Sequence, residues 1–271
     1  MYIGVDIGGT KTLVVAFSHD KKILKEIRFD TPKNYQEFLA KVSDAATEVK
    51  TIDTIVYGAI GTRGLVDRDN GLLINDNVLG WNNAPLVENC SEIFGCDFSI
   101  ENDSKLAGLS EANNAGNAYR KVLYMTVSTG IGSAFVVDGD LDKNTIDSEV
   151  GKWIFEHEGK KIFWEDFASG KAIVEKYGQR ASELEDPNAW IQISKNLALG
   201  IVNACGAYTP DLVIIGGGVG THFNKYKEPL QDAIDEIKPK VFTVPKIIKA
   251  KFAEEAVIYG CYELAKNRFP G

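Results

Sequence analysis

Two aspartates and three glycine runs hold the chemistry that this sequence offers most directly. Apolar, strand-like stretches end in DIGGTK at 6–11, STGIG at 128–132 and IGGGV at 215–219. Glycine at such places lets the backbone turn with positive φ and lets a ligand reach peptide N–H groups with no β-carbon in the way. A polyphosphate tail suits turns of this kind, and Thr10 and Thr129 add hydroxyl donors beside the first two. The triple glycine before a helix can lie against a flat base. Each run by itself also reads as an ordinary tight turn. Asp6 ends the first strand beside its turn, where a carboxylate can hold Mg²⁺, through water as that ion prefers. Asp103, in the ENDS segment at 101–104, either caps the next helix or takes the proton of an acceptor hydroxyl. These are the parts of phosphoryl transfer: positioning, charge neutralisation and a base. The other nucleotide signatures do not fit. GxxxxGK[ST] is absent, and the GlyGlyThr at 8–10 is followed by a second strand where a dinucleotide motif needs a helix.

The elements that position these residues alternate between strand and helix. MYIGVDI and Leu13–Phe17 read as a hairpin, Ile23–Phe29 as a third strand, 35–50 as a helix and Ile55–Ile60 as a buried strand. Loops rich in Gly, Asn and Asp fill 61–83. A helix near 86–94, a strand at 97–101 and a helix at 104–115 follow. A second cycle starts at Val122–Val127 with a glycine turn and a returning strand at 133–137, so two glycine hairpins lie 122 positions apart. That pattern indicates an internal duplication with few residues in common. Helices are expected at 164–177, 188–208, 224–237 and 254–267, around one apolar strand at 212–215. The pattern predicts an α/β fold of two lobes with a cleft between them: 1–110 carrying the first phosphate hairpin, and 111–271 carrying the second, its last helix packing back on the first lobe.

Composition narrows the partners. The 271 residues are 44% hydrophobic and 25% charged, which suits a chain with a substantial core, and the net charge of −8 disfavours duplex DNA and anionic membranes. No membrane span or signal segment is evident, so a cytoplasmic protein is expected. Cys90, Cys96, Cys205 and Cys261 lack metal or disulfide spacing and read as reduced thiols.

DIGGTK, ENDS, STGIGSAFVVDG at 128–139, SEVG at 148–151, WEDFASG at 164–170 and PDLVIIGGGV at 210–219 together resemble the ROK family of sugar kinases, in that family's order along the whole chain. The resemblance implies the actin-like ATPase (ribonuclease H-like) fold, ATP with Mg²⁺, a hexose phosphorylated on its 6-hydroxyl and a homodimer. By position, Asp6, Gly8, Gly9, Thr10 and Lys11 resemble the first phosphate segment, Thr129, Gly130 and Gly132 the second, and Gly216, Gly217 and Gly218 the nucleoside-side turn. Asn102 resembles a sugar-binding Asn and Asp103 the catalytic Asp, while Gly64, Asn77, Glu149 and Glu165 match positions that line the sugar pocket. Trp81 is either an apolar face beside the sugar or a core residue.

One departure stands out. Most members of the family bind a structural zinc through a His and three Cys, and the equivalents here are Lys152, Glu156, Glu158 and Phe163. A Lys and a Phe cannot complete a tetrahedral zinc site, so no zinc is expected, and an ion pair from Lys152 to Glu156 or Glu158 is the expected replacement. Because the lost His also contacts sugar in the family, Lys152 stands ready to donate to a sugar hydroxyl or an anionic substituent. Glucose is the first choice of acceptor. N-acetylmannosamine or N-acetylglucosamine comes next, and polyphosphate is the alternative donor. A sugar-sensing repressor is disfavoured because the first motif begins at residue 4, and a degenerate sugar-binding protein because Asp6, Asp103 and the glycines persist. Elemental analysis of the purified protein is expected to find no bound zinc, whereas about one zinc per chain would overturn that reading.

Overall fold

A computed structural model describes residues 1–252 and 255–269. The chain divides into two compact units, Met1–Ser110 with Glu254–Gly271, and Glu111–Ala253.

In the first unit β1 (Tyr2–Ile7), β2 (Lys11–Phe17) and β3 (Ile23–Asp30) run antiparallel, and α1 (Tyr35–Val49) follows, its start capped by Asn34, whose side chain accepts from the backbone of Gln36 and Glu37. β4 (Tyr57–Thr62) pairs parallel to β1. β5 (Leu65–Asp67), β6 (Leu72–Asp76) and β7 (Trp81–Ala84) form a small antiparallel sheet in the segment expected to be loops. These strands are short and crowded with Asn, Asp and Gly, so the burial of Leu73, Trp81 and Ala84 that fixes them has no clean alternation in sequence. α2 (Leu86–Phe94), β8 (Phe98–Asn102) parallel to β4, and α3 (Asp103–Ala115) follow, and the unit's first stretch ends inside α3. The resulting five-stranded sheet has the order β3-β2-β1-β4-β8.

The two faces of β1 have different tasks. Ile3, Val5 and Ile7 enter a core with Phe38, Val42 and Val49 of α1 and Leu86 and Phe94 of α2. On the other face, a β-carbon on Gly4 would lie 2.9 Å from Ile258, and one on Gly61 of β4 would lie 2.7 Å from Val257 and 2.8 Å from Leu106. Missing side chains on the strands thus let the C-terminal helix, Ala256–Arg268, lie directly on β1 and β4. The sequence places that helix at 254–267; Glu254 lies outside the described residues.

The second unit repeats this sheet order. β9 (Lys121–Val127), β10 (Ile131–Val137) and β11 (Asp140–Leu141) are antiparallel neighbours, while β14 (Leu212–Gly216) and β15 (Lys246–Lys249) add in parallel, giving β11-β10-β9-β14-β15. A hairpin, β12 (Ile154–His157) and β13 (Lys160–Phe163), comes between, followed by α4 (Trp164–Ala168) and α5 (Gly170–Tyr177). The single helix expected over 164–177 is broken at Ser169, whose side chain accepts from Ala172 N–H and caps α5. The long α6 (Pro187–Tyr208) carries the core, and α7 (Gly217–Gly220) and α8 (Lys227–Ile237) flank the last strands.

Trp164 is fully buried, donates its indole N–H to the carbonyl of Asn196 at 2.9 Å and lies flush on Gly200 of α6. At an open helix position Gly to Ala would gain about 1 kcal/mol. Here the added methyl overlaps the indole, and overpacking of this kind costs about 1–3 kcal/mol, so the clash exceeds the gain. Gly200→Ala is expected to lower the thermal unfolding midpoint, and an unchanged or raised midpoint would mean that the indole can yield.

Candidate active site

The carboxylates of the first unit meet at the ends of its parallel strands. In register, Asp6 of β1 lies beside Gly61 of β4, which lies beside Glu101 of β8; Asp103 follows one residue past the end of β8. Sites in such sheets form beyond the carboxyl ends of the strands. The Asp6 carboxyl is raised to about 7, first because burial opposes its charge and second because the charge of Asp103 repels it, with Arg28 acting weakly the other way. The structure therefore brings Asp6 and Asp103 within electrostatic reach. The task of capping α3 falls to Asn102, whose Oδ1 accepts from Ser104 N–H at 3.0 Å and from the Ser104 hydroxyl at 2.6 Å, while Asp103 Oδ1 accepts from the same N–H at 2.7 Å. Asn102 also donates from Nδ2 to the carbonyl of Gly64 at 3.1 Å. Gly64 has φ +88°, and a β-carbon there would collide with the Asn75 carbonyl, so this loop requires glycine. Beneath it, buried Glu101 takes a two-pronged ion pair from Arg68 at 2.6 and 2.7 Å. Asn77 stands exposed in the turn between β6 and β7.

The first glycine turn lies between β1 and β2. Gly8 N–H donates to the Lys11 carbonyl at 3.0 Å, and the Gly8 carbonyl accepts from the Thr31 hydroxyl at 2.9 Å. Thr10 and Lys11 are exposed at its tip. Arg63, which sequence reasoning did not single out, lies over Gly9. A basic residue inside a Gly- and Asn-rich loop was the available signal. Trp81 is buried, packs tilted against Phe38 with ring centroids 4.7 Å apart and donates its indole N–H to the Lys33 carbonyl; it is a core residue.

The second unit holds the other two turns. Ser128 N–H donates to the Gly130 carbonyl at 2.9 Å, and the Ser128 carbonyl accepts from Gly170 N–H at 2.6 Å, which fixes Thr129 at the exposed tip; Gly132 lies inside β10 opposite Thr126. Gly216 ends β14, Gly217 has φ +76°, and Gly218 faces open space. Ser128, Thr129, Lys171, Arg180, Gly218 and His222 line a cavity of about 650 Å³, a size ordinary for a small-molecule site. Lys171, Arg180 and His222 are further residues that the sequence did not reveal, since a lone charge on a helix or loop reads as solvated surface. Burial and the charges of Lys225 and Lys249 lower the His222 pKa and favour its neutral form.

The segment matching the family's zinc site is the β12–β13 hairpin. Glu158 (φ +50°) and Gly159 (φ +75°) make its two-residue turn, and Phe155 and Ile162 pair across it toward the core. The expected ion pair is corrected: Lys152 bonds Glu165, not Glu156 or Glu158, because it ends a 3₁₀ turn at Val150–Lys152 with its ammonium toward α4 and over the Phe163 ring. Glu165 also accepts from Ile131 N–H at 3.1 Å, and its Oε2 lies 2.6 Å from where a β-carbon on Gly130 would be, so it braces the second glycine turn. Glu149 is exposed at the start of that winding, and its charge acts on Lys152. Among the described residues no cluster of His, Cys, Asp or Glu is placed to hold a metal, and no helix is long and apolar enough to cross a membrane.

Two sheets of one order, each opening with a glycine hairpin, define the actin-like ATPase fold, and solved structures agree. A ROK hexokinase from Thermus thermophilus superposes with a TM-score of 0.84 at 25% identity over 99% of both chains. The ROK family profile matches residues 2–268, and the chain belongs to that family. It is 26% identical to a glucokinase of Thermotoga maritima over 99% of this chain and 98% of the relative. It is 27% identical to an N-acetyl-D-glucosamine kinase of Haemophilus influenzae over 97% of this chain and 99% of the relative.

The Asp6 carboxyl gives a sign for pH dependence. Its pKa rises from 3.8 to about 7 on folding, so the folded state holds the proton more tightly and stability falls as pH rises through that interval. A shift of this size corresponds to on the order of 4 kcal/mol at high pH. Without added ligand, Asp6→Asn is expected to melt above the wild type at pH 8 and close to it at pH 4; equal melting at both would show that Asp6 pays no such penalty.

Proposed function

We propose that this ROK sugar kinase transfers the terminal phosphate of ATP to the 6-hydroxyl of a hexose, glucose being the first choice, with Asp103 as base. The observation that supports it is the pairing of Asp6 and Asp103 beside a glycine turn at the ends of β1 and β8. In this reading the first unit supplies the acceptor side: Asn102 and Gly64 locked together, with Asn77 nearby in sequence, orient the sugar hydroxyls. Glu149 and Glu165, on the second unit, are the proposed further sugar ligands. Asp103 accepts the 6-hydroxyl proton as that oxygen forms its bond to the terminal phosphorus. The bond from phosphorus to the bridging oxygen breaks, its electron pair leaves with ADP, and the products are the sugar 6-phosphate and ADP.

The turns would divide the donor: Gly8, Gly9, Thr10 and Lys11 at one phosphate segment, Thr129, Gly130 and Gly132 at another, and Gly216, Gly217 and Gly218 with the 650 Å³ cavity for the nucleoside. The chemistry of Asp6 fits a hard divalent cation, since it is an oxygen donor whose charge is opposed by burial and by a second carboxylate. When bound, Mg²⁺ would offset donor phosphate charge there. An N-acetylhexosamine is the second acceptor, favoured by the Haemophilus influenzae relative.

A coupled assay with ATP and then polyphosphate, against glucose, N-acetylglucosamine and N-acetylmannosamine, tests donor and acceptor together. Turnover with glucose and ATP is expected, and turnover with no sugar would overturn the kinase reading. Asp103→Asn is expected to lower kcat by about 10²–10⁴-fold with sugar affinity little changed. Near-normal turnover would remove Asp103 as the base.

A further inference from the structure

Two arginines five positions apart in the loops after β4 are held differently. Arg68 is committed to structure, its guanidinium fork closed on buried Glu101. Arg63 meets Asp76 as an ion pair, its Nε 3.2 Å from Oδ2 without a hydrogen bond, and among the described residues that buried oxygen has no hydrogen-bond partner. Asp76 is itself buried, and its Oδ1 already accepts from the N–H groups of Val78 at 2.6 Å and Leu79 at 2.9 Å, so the carboxylate is kept in place. The rest of the Arg63 side chain is 47% exposed. Its Nη1 lies 3.3 Å from the point a β-carbon on Gly9 would occupy, a point that Val78 Cγ1 approaches to 2.7 Å, and among the described residues no oxygen takes a hydrogen bond from Nη1 or Nη2. A planar cation with unoccupied donors thus lies beside the turn Gly8–Thr10, paired in charge with a carboxylate that backbone N–H groups keep in place. The same loop carries Gly64, which is bonded to Asn102 one residue before Asp103.

We propose that Arg63 is a catalytic residue for phosphoryl transfer, its guanidinium hydrogen-bonding oxygens of the phosphoryl group in transit from the donor to the acceptor hydroxyl. The proposal rests on the kinase reading above. Guanidinium matches phosphoryl oxygens in geometry and stays charged, and negative charge on those oxygens and on the leaving diphosphate is what a transferring group presents. The balance of the step is unchanged: the acceptor oxygen bonds phosphorus, the bridging oxygen keeps the electron pair, and the proton goes to Asp103. Arg63 gives hydrogen bonds and no proton. A solvated surface arginine would need neither the buried Asp76 carboxylate at its Nε nor a place beside the Gly8–Thr10 turn.

Wild type, Arg63→Ala and Arg63→Lys are compared in the ATP-coupled hexose assay, with hexose and ATP KM, melting temperature, and the response of Arg63→Ala to added guanidinium chloride at low millimolar concentration. At unaltered melting temperature, kcat of Arg63→Ala is expected to fall about 100-fold or more with hexose KM little changed, Arg63→Lys to stay about tenfold or more below wild type, and guanidinium to restore part of the Arg63→Ala turnover. If Arg63→Ala does not fold, the Arg63→Lys loss carries the same reading. Either variant with near wild-type kcat, or a loss confined to hexose KM, overturns the role of Arg63. A wild type that phosphorylates no sugar overturns the kinase reading instead.

Discussion

The arrangement at the ends of β1 and β8 is governed by a repulsion. Asp6 and Asp103 are two carboxyl groups brought near each other, one of them where burial already opposes ionisation. Such a pair lowers stability at neutral pH, and a fold keeps it only where the backbone around it is heavily constrained. That constraint is visible. Gly4 and Gly61 give up side chains so that the C-terminal helix can close one face of the sheet, Glu101 is neutralised by Arg68, and Asn102 fastens the loop at Gly64. Each of these contacts holds the strand ends still around the unfavourable charge.

The two units solve one problem twice. In both sheets a hairpin opens the unit and two parallel strands are added on the side of its first strand. The first hairpin's turn carries free side chains at Thr10 and Lys11, whereas the second is braced from outside by Glu165 and Gly170. The same topology therefore presents one glycine turn with an exposed tip and one braced by its neighbours.

Much of this could be read from residues alone, because long apolar strands ending in glycine and helices with clear caps declare themselves locally. β1, β2, β4, β8, β9, β10 and β14 fall where the sequence puts them within a few residues. The small sheet of β5, β6 and β7 did not, since its pairing depends on Leu73, Trp81 and Ala84 meeting a core made elsewhere. The β12–β13 hairpin was missed although IFEHEGKKIF has a two-residue Glu–Gly turn between apolar pairs. At the site, Asp6, Asp103 and the glycines are legible by type and spacing. Arg63 and the Lys152–Glu165 bond are not, because they depend on which way a side chain leaves a loop.

The β12–β13 hairpin changes how this protein meets oxidants. Where a zinc knuckle depends on thiolates, peroxide can oxidise the ligands, release the metal and loosen the fold around it. From Lys152 to Ala168 this chain has neither Cys nor Met, and the hairpin is held by Phe155 against Ile162, a His157 ring stacked on Phe167 and the Lys152–Glu165 pair. The four thiols that remain elsewhere are poor targets: burial pushes Cys90 and Cys205 up to about 12 and half-buried Cys96 up to about 11, and raises Cys261 well above its ordinary value, so all four stay protonated at neutral pH. The segment beside the second glycine turn thereby offers peroxide no sulfur to oxidise.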